Sequence, residues 1–139
     1  LELAFFLLNQ TWGGGNGVIQ GAATDDLRVT ALAAPGLSVQ VKPGYAFINK
    51  FPYKLAQITG TTTITPPTAH DRIDLVEACL ETWNVSIKTG TEAPSPSAPS
   101  PSANCIALAR LYLRPGMTCI LDTDDLTNGY IVDVRTFLD

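Results

Sequence analysis

Charge is scarce in this chain. Of 139 residues, 13 are Asp or Glu and 9 are Lys or Arg, together 16%, for a formal net charge of −4. No run of Lys or Arg occurs and the pI is near 4.8, which excludes a strongly basic nucleic-acid binder. There is one histidine, His70, in the loop Pro67-Thr68-Ala69-His70-Asp71, with no G-x-S-x-G motif or cysteine partner to build a nucleophile–base set. The three cysteines, Cys79, Cys105 and Cys119, are an odd number without C-x-x-C spacing. That argues against a disulfide framework or a zinc site and predicts buried free thiols in strands. No run is long enough to span a bilayer: Leu3-Ala4-Phe5-Phe6-Leu7-Leu8 falls far short of the roughly 20 apolar residues required. Neither a basic region before it nor a small-residue cleavage site after it supports a signal peptide. The chain opens on Leu1 rather than Met, and the expectation is of an N-terminus from which residues were removed. No long amphipathic helical pattern appears either.

The apolar share, by contrast, is 45%. Disorder as the general state needs low hydrophobicity and high charge, so it is excluded. The length suits a single domain with a real core. Low charge leaves a surface of Thr, Ser, Ala, Gly and Pro, which suits a protein partly covered by partners.

Four glycines in the five positions 13–17 break any regular element, so residues 1–16 read as an N-terminal arm hinged to a body at 17–139. Leu3, Phe5, Phe6, Leu7 and Leu8 are the candidate oligomer contacts on that arm. A first strand is predicted over 27–33, bounded by Pro35-Gly36. Leu37-Ser38-Val39-Gln40-Val41-Lys42 alternates apolar and polar, as a half-buried strand does. Pro43-Gly44 then predicts a hairpin to Tyr45–Asn49, with an irregular turn. Further short strands are expected at 51–55 and 58–64. The run 72–81 has apolar spacings compatible with a helix, but the alternating Val85-Ser86-Ile87-Lys88 favours a strand that turns at Trp83-Asn84. The segment 93–102 repeats APSPS, and proline at this density favours an extended polyproline spacer. Ten residues at about 3.1 Å each reach roughly 30 Å, enough to cross to the far side of a sandwich. The strand at 105–113 should place Cys105, Ala107, Ala109, Leu111 and Leu113 on one face. Pro115-Gly116 and Asn128-Gly129 turn the chain before a closing strand at 130–134. Short strands with such turn signals indicate an all-β fold, an antiparallel β-sandwich or barrel-like domain with a Pro/Ser-rich crossover at 93–103.

Chemistry is sparsely marked. The glycine run fits neither a dinucleotide fingerprint nor a P-loop. Asp122-Thr123-Asp124-Asp125 begins like a calcium loop, but Leu126 and Thr127 stand where an oxygen ligand and a glycine are needed, so a solvated acidic turn is expected. Arg72 and Asp74, and in reverse order Asp133 and Arg135, are two residues apart inside apolar strands and read as structural ion pairs. Trp12, Trp83, Tyr45, Tyr53, Tyr112 and Tyr130 could form a sugar platform, though core or hairpin packing explains most of them more simply. No catalytic residue, cofactor or metal is expected.

The ordered segments Gly17-Val18-Ile19, Val29-Thr30-Ala31, 36–48, Asp71-Arg72-Ile73-Asp74, 85–91, the Pro/Ala/Ser-rich stretch, 108–113 and Asp133-Val134-Arg135-Thr136 resemble a module of tailed-phage structural proteins. Such modules occur in tail fibres, baseplates and related virion components. The resemblance covers roughly residues 17–136 and departs from the pattern at 1–16 and 122–129. It implies a non-enzymatic virion protein, oligomeric and often trimeric, contacting other virion proteins and standing beside a host-attachment domain. It also implies synthesis in the bacterial cytoplasm; from composition and run length, neither nucleic-acid binding nor membrane insertion is expected. The alternative is a carbohydrate-binding β-sandwich that recognises host surface glycans.

Overall fold

The computed structural model describes residues 16–19 and 25–138. The candidate contacts Leu3, Phe5, Phe6, Leu7 and Leu8 lie outside the described residues, as does Trp12. Strands run in chain order as β1 Gly17–Ile19, β2 Val29–Ala31, β3 Val39–Val41, β4 Gly44–Ile48, β5 Phe51–Leu55, β6 Thr59–Gly60, β7 Arg72–Cys79, β8 Asn84–Lys88, β9 Cys105–Leu113, β10 Ile120–Leu121, β11 Gly129–Asp133 and β12 Phe137–Leu138. No helix occurs among the described residues, so the fold is all-β. The strands form three sheets, in the orders β12-β1-β4-β5, β10-β11-β9-β7-β8 and β2-β3-β6. One core joins them: Val18, Ile48 and Tyr53 from the first, Val76, Leu108 and Leu111 from the second, Val39 and Val41 from the third.

The hairpin expected at Pro43-Gly44 does not form. β3 pairs with β2 and β6, whereas β4 pairs with β1 and β5, so the chain changes sheet at Pro43. A Pro-Gly pair does not supply the twist of a primed hairpin turn. Gly44 instead lets the backbone pass close to the 26–27 segment, where a Cβ would lie 2.8 Å from the Leu27 nitrogen. The hairpin belongs to β4 and β5, with Ile48 opposite Phe51. Its two turn residues, Asn49 and Lys50, have φ of 50° and 70°, the left-handed pair a type I′ turn requires. Asn16 fixes that turn by accepting the Asn49 N–H at 2.8 Å, and the Asn49 amide donates to Asn104 at 2.6 Å.

β7 is an interior strand of the five-stranded sheet, between β9 and β8, and every residue from Ile73 to Cys79 is buried. Val76 and Ala78 belong to the main core. Alternation puts Ile73, Leu75, Glu77 and Cys79 on the opposite face. The Pro/Ser-rich crossover covers that second face. β8 and β9 are both antiparallel to β7 and flank it, so the connection must return along β7 before β9 can begin. It therefore serves one sheet and does not carry the chain to the far side of a sandwich, as its reach had suggested. Ser102 N–H donates to Glu77 at 3.0 Å, and the Lys88 ammonium donates to the Ser100 carbonyl at 2.7 Å.

Strict alternation fails in β9. Val76 pairs with Ala109 but Glu77 with Ala107, leaving Leu108 as an extra residue. This β-bulge reverses the faces beyond it. Ile106 and Leu108 are buried before the bulge; Ala109, Leu111 and Leu113 are buried after it. Asn128-Gly129 is likewise not a hairpin turn, because β10 and β11 are parallel. The intervening acidic loop turns the chain back so that Gly129 restarts in the original direction.

Tyr53 is fully buried, with its ring 6.1 Å from that of Trp83 and nearly parallel to it. Its hydroxyl has no hydrogen-bond partner among the described residues, and burial pushes its pKa up to about 12. Deleting a buried, unsatisfied hydroxyl removes a desolvation cost of about 1–3 kcal/mol. Tyr53→Phe, which keeps the ring, is expected to leave the melting temperature unchanged or higher. A clear drop measured by circular dichroism would show that the hydroxyl is satisfied.

Candidate functional site

The chemically richest region is a set of arginine clamps built on one plan. Arg72 opens β7 and lies on the same strand face as Asp74, two residues on. Its Nε donates to Asp74 at 2.8 Å and one terminal nitrogen donates to the same carboxylate at 3.1 Å. That terminal nitrogen also donates to the Thr65 carbonyl at 2.8 Å, holding the segment that runs beside β3. The Gly90 N–H completes the carboxylate shell at 2.9 Å. Asp74 is 1% exposed and the Arg72 side chain 11%. A buried carboxylate is tolerable only with such a shell.

Arg135 repeats the plan from the C-terminal side of β11. It makes a two-pronged contact with Asp133 at 2.9 and 2.8 Å and donates to the Asp26 carbonyl at 2.8 Å. Burial pushes the Asp133 carboxyl up, but its hydrogen bonds from Arg135 outweigh this and hold it below the usual range. Sequence reasoning did not single out a third clamp. Arg114 contacts Asp124 at 2.6 and 3.2 Å and donates to the Asn128 carbonyl at 2.9 Å. The hydrogen bonds that Arg114 donates to the Asp124 carboxylate raise the Arg114 pKa. Arg114 and Asp124 are ten residues apart, so only the backward course of the loop at 122–128 brings them together.

That loop uses its acids internally. Asp122 accepts the Ala31 N–H at 2.8 Å, tying the loop to β2. Asp125 accepts the backbone N–H groups of Thr127 and Asn128 at 2.9 and 2.7 Å, which pushes its pKa down to about 2. Its carboxylate organises a turn, in line with the sequence reading. His70 sits in an exposed loop whose backbone is likewise held: Glu92 accepts the N–H groups of Ala69 and His70 at 2.9 and 3.1 Å.

Of the aromatic candidates, Tyr112 and Tyr130 come together, directly opposite across β9 and β11 with ring centroids 5.1 Å apart. The Arg114 guanidinium lies 5.2 Å from the Tyr130 ring. They border a cleft of about 160 Å³ shared with Asp71, Arg72 and Pro96. Trp83 is 54% exposed and stacks on the buried Tyr53 ring.

Cys79 and Cys105 are joined by a disulfide, which overturns the reading of all three cysteines as free thiols; Cys119 alone is free, and is partly buried. The two residues face each other in the β7–β9 register, with Cα atoms 4.1 Å apart. They are distant in sequence, and only the pairing of β7 with β9 across the crossover makes them neighbours.

Comparison with protein-family models, with curated proteins and with solved structures gives no match to this chain.

Two predictions test the first clamp and the acidic loop. Arg72→Ala leaves the buried Asp74 carboxylate with the Gly90 N–H as its donor among the described residues and should destabilise by about 3–5 kcal/mol, whereas replacing both Arg72 and Asp74 by apolar residues of similar volume should cost far less. Denaturant titration of the single and double variants checks this; equal losses would mean that the pair does more than satisfy its own charge. The second concerns acid. Asp125 titrates near 2 in the folded chain against the ordinary 3.8. A depressed folded pKa stabilises above the unfolded value and is lost as pH falls through the folded one. Melting temperature should therefore fall between about pH 3.8 and 2, and Asp125→Ala should flatten that branch.

Proposed function

We propose that this chain is a structural, non-enzymatic assembly module of a tailed-phage or prophage particle, in a tail fibre, baseplate or related component, acting as a homotrimer. The sequence resemblance supports the reading, since its segments 17–19, 29–31 and 108–113 fall on β1, β2 and β9.

The observation that carries it is where the charges go. Arg28, Lys42, Arg72, Arg114 and Arg135 each pair with a carboxylate of the same chain. Glu77, Glu92 and Asp122 accept backbone N–H groups. The charged side chains thus fix loops and straps to the sheets. The remaining surface is largely uncharged, with Ile58, Trp83 and Leu126 exposed upon it. Such a surface favours broad protein contact. Among the described strands β8 is an edge, next to Trp83, and closed symmetry is the usual way that edges are covered. No helix among the described residues is long and apolar enough to cross a membrane.

Glycan binding is favoured by one feature, the Tyr112–Tyr130 pair bordering a cleft that also holds Asp71 and Arg72. An array of bacterial surface glycans, with Tyr112→Ala as control, separates this reading from the first.

Light scattering at micromolar concentration is expected to return three 14.8 kDa chains, about 44 kDa. Mass spectrometry of purified particles from a lysogen that carries the gene should detect the chain at structural stoichiometry. A monomer that is missing from those particles would overturn the proposal.

A further inference from the structure

The far face of β7 carries a second chemical cluster, unconnected with the clamps. Ligand atoms of Glu77, Cys79 and Cys105 all lie within 4.8 Å of one another. Glu77 is 4% exposed and Cys79 7%. One Glu77 oxygen accepts the Ser102 N–H at 3.0 Å; the other faces the Cys79 sulfur at 3.6 Å. While the sulfurs form a disulfide they carry no proton to donate to that oxygen. A buried carboxylate is thus aimed at two sulfurs that do nothing to compensate its charge, a costly arrangement unless another state makes use of it. Cys105 also lines an open groove of about 270 Å³ together with Asn16, Pro101 and Val134, which gives solutes access to the Cys105 side of the bridge.

We propose that Glu77, Cys79 and Cys105 form a redox-gated site for a thiophilic divalent cation of the Zn²⁺ type. The disulfide is the closed state. A dithiol reductant supplies two electrons and two protons: the Cys79–Cys105 S–S bond breaks, two thiols form, and the reductant closes its own disulfide. Zn²⁺ then displaces the two thiol protons and is held by two thiolates and one Glu77 oxygen. Two thiolates and a carboxylate are a fitting donor set for this ion, with sulfur at about 2.3 Å and oxygen at about 2.0–2.2 Å from it. Rotation about the cysteine side-chain bonds separates the sulfurs to span the ion. The Ser102 N–H keeps the other Glu77 oxygen fixed and so orients the ligand, as outer-shell donors do. Three protein ligands leave a fourth position for water or a partner's side chain. The ion also neutralises most of the charge that the buried carboxylate and thiolates bring together.

The test uses the full chain, reduced with a dithiol, desalted under anaerobic conditions and titrated with Co²⁺ as a spectroscopic probe, then with Zn²⁺ in competition. Reduced protein is expected to bind one Co²⁺ per chain with thiolate charge-transfer absorption; oxidised protein is expected to show none. Cys79→Ser and Cys105→Ser should lose that absorption, and Cys119→Ser should keep it. Glu77→Gln retains the acceptor for Ser102 N–H and should weaken binding about tenfold or more. Circular dichroism follows the fold of each variant. Absence of Co²⁺ binding by folded, reduced protein overturns the proposal. So does binding that Glu77→Gln leaves unchanged, binding that vanishes in Cys119→Ser, or a reduced chain that unfolds and is not restored by Zn²⁺.

Discussion

A carboxylate on the core face of β7 constrains much of the molecule. Asp74 lies where neither water nor an apolar neighbour can compensate it, so its partners must come from the chain itself. Arg72 supplies two donors from the same strand face, and Gly90 supplies a third from the exit of β8. The guanidinium is planar and rigid, so its contact with Asp74 also fixes the direction of its bond to the Thr65 carbonyl. One buried charge thereby locates the segment along β3, the first residue of β7 and the chain leaving β8. Gly90 passes so near β7 that a Cβ there would overlap the Ile73 carbonyl oxygen.

The other two clamps apply the same geometry at more exposed places. Arg135 reaches from the chain after β11 to the segment before β2, and Arg114 gathers both ends of the acidic loop. Exposed ion pairs contribute little stability one at a time. Their effect here is positional: each selects one arrangement for a connection that has few apolar contacts of its own. A 139-residue chain with many short strands has many such connections. The charges of the clamps are placed where connections meet sheets.

Local signals were legible in the sequence and long-range pairings were not. Alternation in 37–42 and 85–88 marks strands, and the two-residue spacing brings together Arg72 with Asp74 on β7 and Asp133 with Arg135 at the end of β11. The repeated APSPS marks a connection without regular structure. What failed depends on contacts between distant segments. Pro43-Gly44 carries a turn signal, yet β3 finds its partners in β2 and β6, and the backbone changes sheet instead of reversing. The extra residue at Leu108 is invisible in a run of alternating small and large apolar side chains; it exists only relative to β7. Cys79 and Cys105 look like unrelated thiols until β7 and β9 are aligned. Arg114 meets Asp124 only after β10 and β11 have been laid parallel. An odd cysteine count was weak evidence against a disulfide, because Cys119 alone accounts for the remainder.

The pairing of the first and last described strands sets a polarity for the domain. β1 and β12 lie side by side and parallel, with Val18 opposite Phe137 and Ile19 opposite Leu138. The backbone thus arrives at β1 from one pole of that sheet and departs from β12 at the other. A hairpin closure would bring both junctions to a single pole and make the domain a side branch of any larger chain. The parallel closure makes it an in-line link: a pull on its two junctions loads the β1–β12 hydrogen bonds in shear, all together, where an antiparallel closure pulled from one pole would open them one at a time.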